Sequence, residues 1–207
     1  MIKVLGYGSG NVKAIVNIYK RLNIPCEVVH EPKSLESATQ LVLPGVGAFD
    51  QSMGLLRCSG MMEQLNYLVM EKRVPIIGVC VGMQMMASSS EEGTSEGLGW
   101  IKGRVKKMDT SKLQQRPALP HMGWNTIEPR RDHPVFNDVD PEKGFYFLHS
   151  FCFHCDNSEN ELAISEYGER FSAAVYADNI YGFQFHPEKS HFNGIAIFKN
   201  FAGITSC

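Results

Sequence analysis

A cysteine between two glycines is the sequence feature best suited to covalent chemistry. Cys80 ends an apolar run and has Gly78 and Gly82 two residues to either side. This is the spacing of a nucleophile elbow with cysteine in place of serine, in which glycines let a strand and a helix close around one strained, exposed residue. A helix N-terminus also favours a thiolate. We therefore predict that Cys80 is a nucleophile, the alternative being a buried cysteine on a core strand.

A base for this nucleophile is predicted in residues 183–188 (FQFHPE). His186 follows an apolar run, Pro187 ends that run, and Glu188 lies within reach of the far imidazole nitrogen. Cysteine, histidine and carboxylate then fill the roles of an acyl-transfer triad, namely nucleophile, base and orienting group. Alone, the motif is also typical of a turn histidine that water satisfies, so the prediction depends on Cys80.

Donors for the oxyanion of a tetrahedral intermediate are predicted in residues 43–49 (LPGVGAF). This turn follows another apolar run, and its glycines leave backbone N–H groups free to face a reacting carbonyl. An ordinary tight turn is the alternative.

These motifs need strands that end close together. Apolar runs separated by helical spacing predict alternating strands and helices in the first half of the chain, hence a parallel sheet with right-handed crossovers. The strands are expected at 2–6, 26–30, 40–43 and 75–79. The third is expected to stop at Pro44, and residues 83–87 suit a helix after Cys80.

The second half has shorter, alternating runs that predict antiparallel or mixed strands. They are expected around 101–108, 145–149, 162–167, 172–176 and 180–185, with a closing helix at 191–201. With no repeat, low-complexity tract or linker, we predict one α/β domain over residues 1–207, with a mostly parallel or mixed central sheet flanked by helices.

Composition narrows the class of function. Twenty Lys and Arg stand against 22 Asp and Glu, a net charge of −2, which argues against nucleic-acid binding through a large basic face. The apolar runs are too short to cross a bilayer, and we expect neither a signal peptide nor a membrane partner. Six irregularly spaced cysteines do not resemble a secreted disulfide framework, so we expect a cytoplasmic protein with reduced cysteines.

The three motifs together resemble those of class I, triad-type glutamine amidotransferases, a family with flavodoxin-like architecture. Those motifs are 44–47 (PGVG), 78–84 (GVCVGMQ) and 186–188 (HPE). Within that class, three further segments are similar to the glutaminase subunits of imidazole glycerol phosphate synthases. They are 7–11 (YGSGN), 120–125 (PHMGWN) and 146–151 (YFLHSF), so the resemblance covers nearly the whole chain.

The resemblance implies a glutaminase reaction. Cys80 would attack the side-chain amide of L-glutamine, His186 would shuttle protons and Glu188 would orient it, and the products would be glutamate and ammonia. The implied oxyanion hole consists of the Val81 N–H and the peptide between Val46 and Gly47. In the family, this glycine-rich strand is not always oriented for that task before a partner is engaged.

The resemblance also implies where the amino-acid end of glutamine binds. The residues it implies are Gln84, Glu92 and the segment His149, Ser150 and Phe151, the last through backbone groups. A zwitterion needs an acidic group for its ammonium and N–H donors for its carboxylate. Family spacing selects Glu92 over Glu91, and a solvated acidic loop is the alternative. Gly6 stands where the family usually has aspartate, and Phe151 where it has tyrosine.

A partner is implied because free ammonia is protonated and lost to solvent. The resemblance implies a heterodimer with a (β/α)₈-barrel cyclase that uses the nitrogen to form an imidazole ring in histidine biosynthesis. The residues it puts at that interface are Asn11, Met122, Gly123, Trp124 and Lys189. Tryptophan and methionine are common at interface centres, and a core position for Trp124 stays open.

Two other functions remain to be distinguished. The same chemistry could supply ammonia to an enzyme that amidates a surface sugar, an alternative that the departures at Gly6 and Phe151 keep open. A catalytically silent protein that only regulates a partner is disfavoured by the intact Cys80, His186 and Glu188.

We expect no metal and no cofactor. Residues 152–155 (CFHC) have metal-like spacing, but a second cysteine pair is missing. Strand alternation would also point Cys152 and His154 to one face and Cys155 to the other. The glycine loop at 7–11 has neither dinucleotide-binding nor P-loop spacing.

Overall fold

The computed structural model describes residues 1–111, 113 and 118–205. Its strands are β1 (Ile2–Leu5), β2 (Cys26–Val29), β3 (Gln40–Gly45), β4 (Ile76–Cys80), β5 (Ser89–Ser90), β6 (Gly103–Lys107), β7 (His121–Asn125), β8 (Glu128–Pro129), β9 (Phe145–His149), β10 (Phe151–Cys155), β11 (Glu161–Tyr167), β12 (Glu169–Ala177) and β13 (Ile180–Phe183). Its α-helices are α1 (Val12–Arg21), α2 (Phe49–Cys58), α3 (Met62–Asn66), α4 (Val81–Gln84) and α5 (His191–Ala202). A π-helical turn follows α3 at Tyr67–Glu71.

One mixed sheet forms the centre of the molecule. Its strand order is β2-β1-β3-β4-β13-β12-β10-β6-β5, with β11 and β8 attached beside β12. In this order, the first five strands, β2, β1, β3, β4 and β13, are parallel to one another, and β12 pairs with β13 antiparallel. Strands β7 and β9 pair separately as an antiparallel ribbon. The predicted sheet is confirmed, with its parallel part from the first half of the chain and β13.

Helices cover this sheet through apolar stripes. On α1, Ile15, Ile18 and Tyr19 are buried, as their helical spacing predicts. The ring of Tyr19 meets Phe198 of α5 edge to face at a centroid distance of 5.3 Å, so the first and last helices pack together. Burying each such large side chain contributes about 1.5–3 kcal/mol. The predicted closing helix is thereby confirmed.

The parallel strands β3, β4 and β13 end at the same edge of the sheet. The register pairs Gly45 with Cys80 and Phe183 with Val79, so the chain leaves all three strands at nearly the same height. In parallel sheets, the segments that follow the carboxyl ends of neighbouring strands converge on one crevice. The three motifs predicted from the sequence are these three segments.

Strand β3 does not stop at Pro44 as expected, since it runs on to Gly45. Proline lacks an N–H and is tolerated where no ladder partner is lost. Pairing of β3 with β1 already ends at Val42, whereas pairing with β4 continues through Gly45. The missing N–H of Pro44 therefore costs the sheet little.

The helix after Cys80 is shorter than expected, because α4 ends at Gln84. The carbonyls of the next three residues accept hydrogen bonds from a returning loop rather than from the next helical turn. The pairs are Leu98 N–H with Met85 at 2.7 Å, Ile101 N–H with Met86 at 3.1 Å and Gly99 N–H with Ala87 at 3.0 Å. Tertiary contacts have replaced the helical bonds that the composition favours.

No helix among the described residues is long and apolar enough to cross a membrane. The five cysteines in that part of the chain are free thiols, and Cys207 lies outside it.

Candidate active site

Cys80 has a strained backbone at the end of β4. Its φ of 54° and ψ of −111° are rare for a residue with a side chain, and such strain costs on the order of 1–3 kcal/mol. The flanking glycines make it possible. A Cβ on Gly82 would lie 2.0 Å from the carbonyl oxygen of Leu43, and one on Gly78 would lie 2.6 Å from Met86. The elbow predicted from the glycine spacing is therefore present.

His186 and Glu188 stand beside this elbow as a buried pair. Nδ1 of His186 donates to Oε1 of Glu188 at 2.9 Å, and their side chains are 3% and 1% exposed. Burial lowers the pKa of His186, but hydrogen bonds with Cys80 and Glu188 outweigh it and leave that pKa raised. The protonated imidazole is thus stabilised between a sulfur and a carboxylate. A general base needs such stabilisation because it holds a proton during catalysis.

A cavity of about 460 Å³ opens in front of Cys80, within the size range of small-molecule sites. It brings together most of the residues predicted from the sequence. Its lining includes Val46, Gly47, Cys80, Val81, Gln84, Glu92, Pro120, Leu148, His149, Ser150, Phe151, His186 and Lys189. Glu188 does not line it and lies against His186 instead, and Asn11, Met122 and Trp124 also lie outside the lining.

The predicted oxyanion donors are only partly free. The N–H of Val46 donates to Ser9 Oγ at 3.0 Å, and the Val46 carbonyl accepts from the same hydroxyl at 3.0 Å. Because a trans peptide points its N–H opposite to its carbonyl, the Gly47 N–H points away from Ser9. Within the described residues that N–H has no acceptor. The Val81 N–H lies in the first turn of α4, where no intrahelical acceptor exists.

The structure distinguishes Glu92 from its neighbour Glu91. Glu92 lines the cavity, with Oε2 accepting the Phe49 N–H at 2.8 Å. Oε2 of Glu91 accepts the Lys107 N–H at 2.9 Å, and Glu91 does not line the cavity. Asp50 anchors the same loop by accepting the N–H groups of Thr94 and Ser95, which lower the pKa of Asp50. An acidic group suited to an ammonium is thereby fixed at the cavity rim.

Gln84 and His149 converge on one backbone carbonyl. Nε2 of Gln84 and Nδ1 of His149 bond the Phe151 carbonyl at 3.0 and 2.9 Å. Nε2 of His149 also lies 3.0 Å from Nδ1 of His121. Burial lowers the pKa of His149 to about 3 and that of His121 to about 4, so both rings are neutral. This network of neutral side chains holds the segment 149–151 against the cavity.

The two departures from the family pattern have local explanations. At Gly6, a Cβ would lie 2.4 Å from the ring of His30, whose Nδ1 lies 2.6 Å from the Gly6 carbonyl oxygen. Histidine therefore occupies the space beside this glycine. At Phe151 the carbonyl makes the contacts with Gln84 and His149, and these do not depend on a ring hydroxyl.

An exposed apolar surface lies next to the cavity, on and around β7. Met122 is 65% exposed and Trp124 is 49% exposed, so Trp124 is not a core residue. Trp124 stacks on His191 at 5.3 Å, and the neighbouring Phe192 is 56% exposed. Lys189, on the cavity rim, places Nζ 5.4 Å from the centroid of a neighbouring tyrosine ring. Large exposed apolar side chains grouped in this way are typical of protein–protein contacts.

Two polar residues of the site were missed by sequence reasoning. Nε2 of Gln184 lies 3.9 Å from the Cys80 sulfur, and Oε1 of Gln184 accepts from Gln84 at 3.0 Å. The sequence signal for Gln184 was its position two residues before His186, since residues at that spacing on a strand share a face. The sequence gives His121 no role beyond its place in the segment 120–125, because its pairing with His149 across the β7–β9 ribbon is a long-range contact.

One group of metal-type ligands lies away from the cavity. Cys152, His154 and Glu169 each place a ligand atom within 4.8 Å of the other two, the only such cluster found among the described residues. None of the three lines the cavity.

The fold and this site together define a class of protein, and comparison with known families agrees. The model of the family "Glutamine amidotransferase class-I" matches residues 3–203. The chain belongs to this family.

Curated relatives narrow the group further. "Imidazole glycerol phosphate synthase subunit HisH" of Bdellovibrio bacteriovorus is 49% identical over 204 residues, covering 99% of this chain and 100% of the relative. The proteins of the same name from Leptospira interrogans and, as "HisH 2", from Pseudomonas aeruginosa are 46% and 43% identical, each over 99% of this chain and 100% of the relative. The chain is thus placed in the HisH group of the family.

Solved structures agree on the fold. The crystal structure of a glutamine amidotransferase superposes with a TM-score of 0.71 at 20% identity, covering 98% of this chain and 99% of that chain. PurLQS from Thermotoga maritima gives a TM-score of 0.72, at 17% identity and with 98% and 97% coverage. At these identities the likeness shows the architecture alone.

Proposed function

We propose that this protein is the glutaminase subunit of an imidazole glycerol phosphate synthase. It hydrolyses L-glutamine to glutamate and ammonia and passes the ammonia to a (β/α)₈-barrel cyclase subunit during histidine biosynthesis. The full-length HisH relatives support this assignment over the amidation of a surface sugar. A single domain over residues 1–207 and a cytoplasmic location stay predictions.

The proposed chemistry uses Cys80, His186 and Glu188 in sequence. The Cys80 thiolate attacks the carboxamide carbon, and the protonated His186 gives its proton to the leaving nitrogen, so that ammonia departs and a thioester remains. Water then attacks the thioester, with His186 accepting its proton, and glutamate is released as the thiolate re-forms. Glu188 holds the imidazole in the required orientation through Nδ1.

Backbone donors stabilise the oxyanion of both tetrahedral intermediates in this proposal. The Val81 N–H and the peptide between Val46 and Gly47 fill that role, since all three residues line the cavity. The donor of that peptide is the Gly47 N–H, and the Val46 N–H, which belongs to the preceding peptide, is held by Ser9. A turn of the glycine strand on partner binding would bring a second donor into use.

The amino-acid end of glutamine is proposed to bind at the opposite rim. Glu92 receives the ammonium, and backbone groups of the segment His149, Ser150 and Phe151 meet the carboxylate. Gln84 acts there through its amide nitrogen, which donates to the Phe151 carbonyl and to Gln184. Both rims belong to one cavity in front of Cys80.

The cyclase subunit is proposed to dock on the exposed surface around β7. Met122 and Trp124 supply the apolar centre, with Gly123 between them on the same strand. Asn11 and Lys189 are the polar residues that the family resemblance implies at this interface. This surface adjoins the cavity at Pro120, which lines it immediately before β7. Ammonia formed at Cys80 thus has a short route to the interface.

The observation that carries the proposal is the strained Cys80 in a cavity with the buried His186–Glu188 pair. Its test is glutamate release by the purified chain, alone and with the cyclase barrel of the same organism carrying its nucleotide ligand. We expect slight release alone and a steep rise in the complex. Hydrolysis that ignores the cyclase would refute the synthase assignment and return the sugar-amidating alternative.

Cys80→Ala divides the two halves of the reaction. It should abolish glutamate release, while the complex should still use added ammonia, because the acceptor chemistry belongs to the other chain. Loss of both activities in a complex that still associates would contradict this division.

A further inference from the structure

A thiol, an imidazole and a carboxylate meet outside the catalytic cavity. The Cys152 sulfur lies 3.4 Å from Nε2 of His154, two residues along β10. Glu169, the first residue of β12, brings a carboxylate oxygen close, so that the three ligand atoms lie within 4.8 Å of one another. Cys152 is buried, and the other two residues are half-buried, which leaves the group reachable from solvent. Only the first two of these residues belong to the motif at 152–155, and Glu169 comes from another strand.

The spacing fits a tetrahedral transition-metal centre. With metal–sulfur and metal–nitrogen bonds of about 2.3 and 2.05 Å, a tetrahedral ion holds its sulfur and nitrogen ligands about 3.6 Å apart. The observed 3.4 Å between the Cys152 and His154 atoms is close to that edge. The Glu169 oxygen lies within 4.8 Å of the other two ligand atoms, so a side-chain movement of about 1 Å would bring it to a similar separation. Thiolate with imidazole selects zinc-like ions over magnesium or calcium.

Neighbouring groups hold these ligands in place. Oε1 of Glu169 accepts the Asp109 N–H at 2.7 Å, and a carboxylate has a second oxygen for an ion. The negative charge of Glu91, in the loop after β5, also acts on Cys152 and His154. A water molecule would complete a four-coordinate site.

A cysteine must lose its thiol proton to bind a zinc-class ion. Burial, with the charges of Glu169 and Glu91, raises the pKa of the Cys152 thiol to about 12, and Lys106 opposes this effect. The thiol is therefore protonated when no ion is bound. On binding, the S–H proton passes to solvent as the metal–sulfur bond forms.

We propose that Cys152, His154 and Glu169 form a binding site for one divalent ion of the zinc class, separate from the catalytic centre. The ion joins β10 to β12. It thereby stabilises the strand that begins at Phe151, whose carbonyl holds Gln84 and His149.

The test is direct ion binding in the full chain carrying Cys80→Ala, which removes the other cysteine–histidine pair able to hold zinc. Zinc is titrated in competition with a chromophoric chelator, and cobalt(II) is added separately as a spectroscopic probe. We expect one ion per chain and a thiolate-to-cobalt charge-transfer band. In that background, Cys152→Ser should abolish the band, and Glu169→Gln should weaken zinc binding at least about tenfold.

Cys155→Ser is the matched control. This neighbouring half-buried cysteine lies near Ser172 rather than in the cluster, with sulfur and hydroxyl 4.0 Å apart. Zinc stoichiometry, affinity and the cobalt band should be unchanged in it. The proposal is overturned if the parent shows no thiolate band, or if a folded Glu169→Gln variant binds zinc as tightly as the parent. Glu169→Gln keeps the test decisive even if the buried Cys152→Ser variant fails to fold.

Discussion

The carboxylate of Glu188 gives the sharpest test of the proposed triad. Glu188→Gln keeps the shape of the side chain and removes its charge. The 2.9 Å contact between His186 Nδ1 and Glu188 Oε1 is buried on both sides, so solvent cannot replace what the substitution removes. In the variant only Cys80 opposes the lowering effect of burial, so the pKa of His186 should fall from its raised wild-type value.

The size of the effect follows from that contact. A hydrogen bond to a charged group contributes about 1.5–3 kcal/mol, which is roughly 10- to 150-fold in rate if the interaction strengthens in the transition state. If the new amide presents its NH₂ to Nδ1, the imidazole takes the wrong tautomer, and in related triads this costs about 10⁴-fold. We expect kcat/KM for glutamate release to fall by between about 10-fold and 10⁴-fold.

The same substitution tests the burial of Glu188. In the described structure Oε2 is buried and has no hydrogen-bond partner. If the amide NH₂ takes this position instead of facing Nδ1, it becomes an unsatisfied buried donor, and the free energy of unfolding should fall by about 1–3 kcal/mol. Chemical denaturation measures this loss separately from activity.

The assay compares two activities of one complex. Glutamate release is measured with the cyclase bound, and ammonia-dependent synthesis by the same sample reports whether the complex is intact. The matched control is Glu96→Gln, which removes an exposed carboxylate outside the cavity lining and should leave both activities unchanged. If Glu188→Gln keeps glutamate release within about threefold of wild type, the argument from charge and tautomer is refuted.

Three further outcomes are expected. Gly82→Ala should abolish glutamate release and lower the free energy of unfolding, because its Cβ would lie 2.0 Å from a backbone oxygen. The control Gly54→Ala on α2, whose Cβ would have nothing within 4 Å, should be neutral or stabilising. Equal effects of the two substitutions in activity and denaturation assays would contradict the packing argument. Trp124→Ala should weaken cyclase binding by about 2 kcal/mol, which is roughly a 30-fold rise in the Kd measured by calorimetry. The free energy of unfolding should change little, since the Trp124 side chain is half exposed. An unchanged Kd would reject the proposed interface. The free energy of unfolding should fall with acidification from about pH 6.5 toward pH 4. Folding lowers the pKa of His121 to about 4 and that of His149 to about 3, so the unfolded chain binds more protons in this range. The slope is about 1.4 kcal/mol per pH unit for each histidine, and a His121→Asn variant with the same slope in pH-dependent unfolding would disprove this prediction.

Much of the fold could be predicted because its signals are local. Apolar runs bounded by glycine and proline marked the parallel strands, and helical spacing marked α1 and α5. The errors fell where long-range contacts replaced local ones. Strand β3 continued through Pro44 because a neighbour had already ended, and α4 stopped at Gln84 because a distant loop took the next carbonyls.

The surface around β7 shows the same limit. The sequence left open whether Trp124 was a core or an interface residue, because an aromatic side chain on a strand suits both. Its exposure depends on how the β7–β9 ribbon sits beside the sheet, and that is a matter of packing. The nearby helix α5 adds His191 as its stacking partner.

The sequence by itself determined the kind of chemistry, since two glycines around Cys80 and the His186-Pro187-Glu188 motif are local patterns with few other uses. Tertiary structure alone decided the partners that come from distant parts of the chain. It placed Glu92 in the cavity, tied the Val46 N–H to Ser9, and carried Glu169 to the cysteine and histidine of β10. Each of these depends on the register and packing of segments far apart in sequence, which no local pattern specifies.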